Sequence, residues 1–233
     1  MLCESVAHVY GVCQRRFKLL AAIIFLSIPS VLTAEPVVIA ALGDSLTQGY
    51  GLARKDGLVT QLEDWLILQG EDVHILNAGV SGDTTAGGRA RIDWTLTPDV
   101  QALIVILGGN DMLRGIDPAT SRANMVAILD VAASRKLPVM LVGMPAPGNF
   151  GPNYKAQFDA LYPELAKEYG TLFVANFFTP LLEDSAKIPA RKYMQADGIH
   201  PNAAGVREIV GMIAPVVQSL IILARNQKNQ ADF

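Results

Sequence analysis

Hydrophobic residues along the chain are concentrated in five short, nearly continuous runs. The runs cover Val37–Leu42, Val73–Leu76, Ala102–Leu107, Val139–Val142 and Leu172–Ala175. Runs of this length without regular polar alternation are typical of strands that are buried on both faces of a parallel sheet. The pattern therefore predicts five strands.

Helical spacing marks the segments between these runs. In the first segment, apolar or long side chains recur every three or four positions, at Leu58, Leu62, Trp65, Leu66 and Gln69, before Gly70. The same spacing predicts helices from Asp83 or Thr84 to about Leu96, from Pro118 to about Arg135, on the stripe Phe158–Tyr169, and over Ala203–Ala224. Alternating strands and helices predict a doubly wound α/β sheet that binds ligands at the carboxyl ends of its strands.

The first 34 residues have a different character. Three basic residues precede the apolar run Leu19–Leu32, and the small residue Ala34 follows shortly after. This order is typical of a secretory signal peptide, and a run of about 14 residues is short for a membrane span, which needs about 20. We predict cleavage near Ala34. An uncleaved anchor is the alternative, because Leu32 stands where a small residue is usual.

These boundaries give a signal peptide over residues 1–34, one α/β domain over 35–225 and a polar, frayed tail over 226–233. The mature protein would be periplasmic or secreted, with no stable membrane anchor, as a monomer or small homo-oligomer. Both cysteines, Cys3 and Cys13, lie in the leader, so the mature chain would have neither a disulfide nor a thiol nucleophile. The net charge of −3 and the lack of a basic patch argue against a nucleic-acid partner.

Polar residues and glycines follow three of the predicted strands directly. They form the clusters Gly43-Asp44-Ser45, Asn77-Ala78-Gly79 and Gly108-Gly109-Asn110-Asp111. Because the carboxyl ends of parallel strands meet at one edge of a sheet, we expect the three clusters to lie close together. His200, in the loop that leads into the last helix, can fold over the same edge.

The chemistry of these residues points to acyl transfer. A serine hydroxyl becomes a good nucleophile when a positioned base takes its proton, and His200 can do this for Ser45 while Asp197 orients the imidazole. The backbone N–H groups of Ser45 and Gly79 and the side-chain amide of Asn110 can stabilise the oxyanion. No cluster of histidine, cysteine and carboxylate residues has the spacing of a metal site, so we expect neither a metal nor another cofactor.

Each residue also has a purely structural explanation. Ser45 could cap a turn, Gly79 could be a turn glycine, and Asn110 or Asp197 could satisfy local backbone groups. Their joint occurrence, in order and at strand ends, favours catalysis.

Four blocks resemble the signature blocks of the GDSL (SGNH) hydrolases. They are Gly43-Asp44-Ser45-Leu46, Asn77–Thr84, Leu107–Asp111 and Asp197–Asn202. The resemblance spans about Val37 to Leu220 and is greatest to the periplasmic arylesterase, acyl-CoA thioesterase and lysophospholipase branch. It implies a flavodoxin-like three-layer α/β/α fold with a five-stranded parallel sheet. It also implies a triad of Ser45, Asp197 and His200, and an oxyanion hole of Ser45, Gly79 and Asn110.

The loop Gly143–Asn153 after the fourth strand is expected to contact the substrate. We predict that Asp44, Pro145 and Phe150 bind the substrate, and the apolar residues of the loop favour an acyl chain. The sequence thus predicts a serine esterase that acts on small-molecule esters and thioesters, including acyl-CoA and lysophospholipid-type substrates. The alternatives are a carbohydrate O-deacetylase or acyltransferase of the same family, and a non-catalytic acyl- or glycan-binding module.

Overall fold

Five parallel strands form one sheet at the centre of the computed structural model, which describes residues 35–182 and 189–231. The predicted leader therefore lies outside the described residues. The strands are β1 (Val37–Gly43), β2 (Val73–Gly79), β3 (Ala102–Ile106), β4 (Val139–Val142) and β5 (Leu172–Val174). Their spatial order is β2-β1-β3-β4-β5, so the winding direction reverses between β1 and β3. This is the flavodoxin-like order, and it confirms the predicted fold.

Helices cover both faces of the sheet. The described residues contain α1 (Ser45–Gln48), α2 (Leu58–Leu68), α3 (Thr85–Thr95), α4 (Gly109–Leu113), α5 (Pro118–Ser134), α6 (Pro152–Tyr169) and α7 (Ala203–Ala231). Alternate strand residues face two separate cores. Ile39 and Ile104 pack with α2 and α7, whereas Ala40 and Leu103 pack with α3, α5 and α6. The predicted helices and strands are all present, with different ends in several cases.

The second strand is longer than its hydrophobic run predicts. Asn77, Ala78 and Gly79 were expected to follow the strand, but they form its last three residues and pair with the end of β1 as far as Gly43↔Gly79. Because β2 is an edge strand, the polar side chain of Asn77 remains exposed there. A polar residue therefore does not end this strand.

The last helix also continues past its predicted end at Ala224. Residues 225–231 are helical rather than frayed, because they include good helix formers and contain no glycine or proline. Arg225 also pairs with Glu71, with 2.8 Å between Nη1 and Oε2. By length and composition α7 could cross a membrane, but one face of it, from Val206 to Ala224, packs into the core, while Ile222 and Leu223 are exposed. Residues 232–233 lie outside the described residues.

The loop after β4 is shorter than predicted. A 3-10 turn occupies Gly148–Phe150, and α6 begins at Pro152, so Pro152 and Asn153 belong to a helix. Proline is favoured at the first helical position, where its missing N–H has no intrahelical partner to lose. The sequence cluster of proline, glycine and asparagine thus marks a helix start as well as a loop.

Candidate active site

Ser45 lies at the carboxyl end of β1, as the first residue of α1. Asp44 caps this short helix, since its Oδ1 accepts a hydrogen bond of 3.0 Å from the Leu46 N–H. Gly43 makes the tight turn possible, because a Cβ there would lie 1.9 Å from Oγ1 of Thr47. The strand and cap hold the Ser45 hydroxyl at the edge of the sheet.

His200 and Asp197 complete a hydrogen-bonded chain with Ser45. His200 Nε2 lies 2.8 Å from Ser45 Oγ, and His200 Nδ1 lies 2.7 Å from Asp197 Oδ2. The second oxygen, Asp197 Oδ1, accepts the backbone N–H groups of Ile199 and His200 at 2.9 and 3.0 Å. These hydrogen bonds, led by that from the His200 side chain, lower the pKa of Asp197 to about 2. The structure therefore brings together the three residues predicted as a triad.

Tyr50 and Gln195 support the imidazole. The Tyr50 ring packs against the His200 ring, with 4.7 Å between centroids. Gln195 Nε2 donates to the carbonyl groups of Tyr50 and Pro201 at 2.8 and 3.0 Å, and so joins the loop after α1 to the His200 loop. Sequence reasoning missed both residues, since no local pattern connects positions that are 145 residues apart.

Asn110 lines the same cleft as Ser45, and its amide is held by Asp44. Asn110 Nδ2 donates to Asp44 Oδ2 at 3.3 Å, which leaves the other Nδ2 hydrogen for a ligand. Asp44 is only 1% exposed, and burial is the main reason that its pKa rises to about 6. Asp44 also lines the cleft that contains Ser45, so its role in substrate binding stays a prediction. Both of its carboxyl oxygens are engaged by protein groups, Leu46 and Asn110.

Gly79 does not occupy the predicted oxyanion position. It lies within β2, and its N–H donates to Asn77 Oδ1 at 3.0 Å instead of facing the cleft. Glycine is needed there for another reason, because a Cβ would lie 2.2 Å from the backbone nitrogen of Gln48. Close packing of α1 against the end of β2 therefore explains this glycine.

Gly82, three residues further on, lies at the cleft instead. It lines the cavity that contains Ser45, and no described residue accepts a hydrogen bond from its N–H. Its φ of +80° favours glycine, and Arg114 Nη2 donates to its carbonyl at 2.8 Å. The sequence block contains both glycines, and only the end of the strand distinguishes them.

Arg91 on α3 fixes the loop that carries Gly82. Its guanidinium donates to the carbonyl groups of Ala78 and Gly43 at 2.7 and 2.8 Å, and to Asp83 Oδ2 at 2.7 Å. One side chain thereby joins the ends of β1 and β2 to the start of α3. Such a planar, multiply bonded contact is a role for which lysine is a poor substitute.

A second buried carboxyl group, that of Asp111, fixes the helices behind the Asn110 segment. It accepts hydrogen bonds from the Thr85 N–H, the Thr85 hydroxyl and the Ser121 hydroxyl at 2.9, 2.5 and 2.8 Å. Asp111 has no exposed surface. It is a structural residue that ties α3 and α5 to α4.

An open, mainly apolar cleft of about 990 Å³ contains Ser45 and His200. Its apolar lining includes Met112, Leu113, Met144, Pro145, Phe178 and Ile199. Pro145 thus lies where it was predicted to lie. Phe150 does not line the cleft: its ring packs on Tyr154 at 5.1 Å between centroids and covers Gly115. Its size predicts a role in binding, but its ring lies outside the residues that line this cleft.

This geometry defines an α/β/α protein that is equipped for acyl transfer from an activated serine. A hydroxyl, an imidazole and a carboxylate form one hydrogen-bonded chain, with an amide and a free backbone N–H nearby. Among the described residues, no group of three or more His, Cys, Asp or Glu side chains is arranged to hold a metal ion.

The chain belongs to the GDSL-like lipase/acylhydrolase family, which it matches over residues 41–208. Esterase TesA of Pseudomonas aeruginosa is 36% identical to it over 81% of this chain and 91% of the relative. Thioesterase 1/protease 1/lysophospholipase L1 of Escherichia coli K12 is 33% identical over 85% of this chain and 91% of the relative.

A solved structure, that of the SGNH-hydrolase family esterase AlinE4, agrees in fold. It is 42% identical and covers 80% of this chain and 97% of its own, with a TM-score of 0.66. The fold and these relatives identify the chain as a serine ester hydrolase and confirm the predicted branch of the family.

Proposed function

We propose that Ser45 is the nucleophile, His200 the general base and Asp197 the residue that orients His200. The observation that carries this assignment is the pair of hydrogen bonds, 2.8 and 2.7 Å long, that runs from the Ser45 hydroxyl through the imidazole to Asp197. The low pKa of Asp197 supports the assignment, because a carboxylate beside Nδ1 stabilises the imidazolium that forms during attack.

The reaction then follows from the positions of these groups. Ser45 Oγ attacks the acyl carbon while its proton passes to His200 Nε2. The developing oxyanion receives hydrogen bonds from the N–H groups of Ser45 and Gly82 and from Asn110 Nδ2. His200 next protonates the leaving alcohol or thiol, and water attacks the acyl-enzyme by the same route. Asp44 orients the Asn110 amide.

The substrates that fit best are carboxylic esters and thioesters with a medium-length acyl chain. A predominantly apolar cleft supports this class, because burying apolar surface contributes about 25 cal/mol per Å². Aryl or alkyl esters, acyl-CoA and lysophospholipids all present such an acyl group, and the names of the relatives include esterase, thioesterase and lysophospholipase. A carbohydrate deacetylase would need less apolar surface beside the nucleophile.

Export to the periplasm or cell exterior, through a signal peptide over residues 1–34, completes the proposal. Its support is the basic flank and apolar run of the leader. The substrate is expected to be a small molecule, and the mature protein is expected to be a monomer or small homo-oligomer. N-terminal sequencing of the exported protein would locate the cleavage.

Two measurements on the purified protein test the assignment. Ser45→Ala should lose at least about 10⁴-fold in kcat on 4-nitrophenyl esters while keeping its melting temperature, because the hydroxyl carries the acyl group. A fluorophosphonate probe should label Ser45 alone. Near-native turnover in Ser45→Ala, or labelling at another serine, would overturn the proposal. A series of acetyl to decanoyl esters and acyl-CoAs then defines the preferred chain.

A further inference from the structure

A second cavity, of about 650 Å³, lies beside the outer edge of β2. Its surface is mostly polar, in contrast to the apolar cleft that contains Ser45. Hydrogen-bonding side chains from α1, the 3-10 turn Arg54–Asp56, α2 and β2 contribute to it: Gln48, Arg54, Thr60, Glu63, His74 and Asn77. The reaction proposed above makes no use of this cavity.

Two contacts connect this polar cavity with the apolar cleft. Tyr50 lines both of them. Gln48, which lines the polar cavity, accepts a short hydrogen bond from the hydroxyl of Ser81, which lines the cleft. The two cavities are therefore neighbours that share Tyr50.

The direction in which the leaving group departs follows from the position of His200. During acylation, the bond from Ser45 Oγ to the acyl carbon forms and the bond from that carbon to the alcohol oxygen breaks. His200 gives this oxygen the proton that it took from Ser45, so the oxygen must lie within reach of Nε2. Tyr50 packs against the His200 ring and lines both cavities, so it lies on the route that we propose for the next atoms of the alcohol.

We infer that the polar cavity is the subsite for a hydroxyl-rich leaving alcohol, such as a sugar or polyol. Its side chains offer both donors and acceptors, and hydroxyl groups can serve both. Arg54 and Glu63 bring charges of opposite sign to the cavity, where Glu63 Oε2 also contacts His74 Nδ1 and accepts the Ile75 N–H, and this balance favours a neutral alcohol over an anionic one. The inference rests on the proposed function and adds to it: the preferred substrate joins an apolar acyl chain to a polyol.

Two esters with the same acyl chain test this subsite. Ethyl octanoate has a leaving group too small to extend past Tyr50, whereas 6-O-octanoylglucose would place its sugar in the polar cavity. The quantity to compare is the ratio of kcat/KM for the glucose ester to kcat/KM for the ethyl ester. The ratio cancels any change in the acyl cleft or in the triad.

Ala53→Trp fills the cavity with a side chain that replaces an exposed methyl group. The ratio is expected to fall about tenfold, a loss of about 1.4 kcal/mol. Thr60→Val removes one hydroxyl without added bulk and should lower the ratio about fivefold. Ala133→Trp adds the same bulk to an exposed position near the end of α5 and should leave the ratio unchanged.

Ratios that stay within about twofold of wild type in both cavity variants would overturn the subsite. So would an equal loss on both esters, because the variants would then disturb Ser45 rather than the alcohol. Failure of the subsite is distinguishable from failure of the proposed function. In the first case wild type still hydrolyses ethyl octanoate and Ser45→Ala does not, whereas in the second Ser45→Ala retains the activity.

Discussion

The nucleophile side and the base side of the site are held by different means. On the nucleophile side, Ser45 and Asn110 follow the buried strands β1 and β3, and the buried carboxyl groups of Asp44 and Asp111 lie beneath them. On the base side, Asp197 belongs to an exposed loop. That loop is held by hydrogen bonds between near neighbours in sequence and by Gln195.

The comparison suggests that function and stability are divided between the two sides. Loss of a buried carboxylate on the nucleophile side, such as that of Asp111, breaks buried hydrogen bonds between helices, so it should mainly lower stability. A change on the base side breaks contacts that are already close to water, so activity should fall while the fold remains. The following predictions test this division, from the largest expected effect to the smallest.

Asp197→Asn should lower kcat about 10³-fold or more, because the amide no longer stabilises the imidazolium. Its melting temperature should stay close to wild type, since the side chain is 35% exposed. Asp111→Asn is the matched change on the nucleophile side. The new amide group would face the three donors that the carboxylate now accepts from, which belong to Thr85 and Ser121. The free energy of unfolding should therefore fall by about 3 kcal/mol, while the folded protein keeps most of its activity.

Kinetics and thermal unfolding of both variants decide this prediction. Asp197→Asn that unfolds far below wild type, or Asp111→Asn with normal stability, would remove the division between the two sides.

Asn110→Ala should lower kcat by about 10²–10³-fold, as expected for the loss of one oxyanion donor. Asp44→Asn should lower kcat less, because it only releases the orientation of the Asn110 amide. A double-mutant cycle measures the coupling between Asp44 and Asn110 in kcat. If Asp44 acts through Asn110, its substitution should have little further effect in the Asn110→Ala background. Fully additive losses in kcat would show that Asp44 acts on Ser45 or His200 instead.

Leu113→Ala should lower kcat/KM for octanoyl esters about fivefold relative to acetyl esters, because a half-exposed leucine in the cleft contributes about 1 kcal/mol to binding a long chain. Phe150→Ala should leave this ratio unchanged, since the ring packs over Gly115 outside the cleft. Both esters are assayed with each variant. A selective loss with Phe150→Ala would mean that the loop turns its ring toward bound substrate.

The smallest effect concerns the pH dependence of stability. Burial raises the pKa of Asp44 to about 6, so the folded protein holds this proton more tightly than the unfolded chain does. The protonated Asp44 carboxyl group therefore makes its full contribution to the free energy of unfolding below about pH 4, and this contribution is lost as the pH rises through 6. The melting temperature of Asp44→Asn relative to wild type should increase from pH 4 to pH 7. The exposed Asp64→Asn should show no such trend, and a flat difference for Asp44→Asn would contradict the raised pKa.

The fold was predictable because its signals are local. Apolar runs and helical spacing identify each strand and helix from a few neighbouring residues, and strand ends then bring Ser45 and Asn110 together. The local pattern could not show which glycine of the block Asn77–Thr84 lies at the cleft. Gly79 and Gly82 differ only in whether β2 has ended, and strand pairing with β1 decides that.

Residue size was also a poor guide to contact. Phe150 is the largest apolar residue of its loop, yet the direction of its side chain depends on Gly115, which lies 35 residues earlier. The burial of Asp44 likewise results from β3 and its following helix. Tyr50 and Gln195 are 145 residues apart in sequence, so no sequence period could connect them.

Ser45 and His200 are 155 residues apart, and His200 lies three residues before the start of α7. Contacts between such distant positions close large loops and therefore form late in folding. Until α7 docks through residues such as Ile209 and Ile213, the serine has no base beside it. An unfinished chain on the ribosome is consequently latent as a hydrolase. We therefore expect esterase activity to appear only once α7 has packed against the sheet, so its recovery is a sensitive assay for the completion of folding.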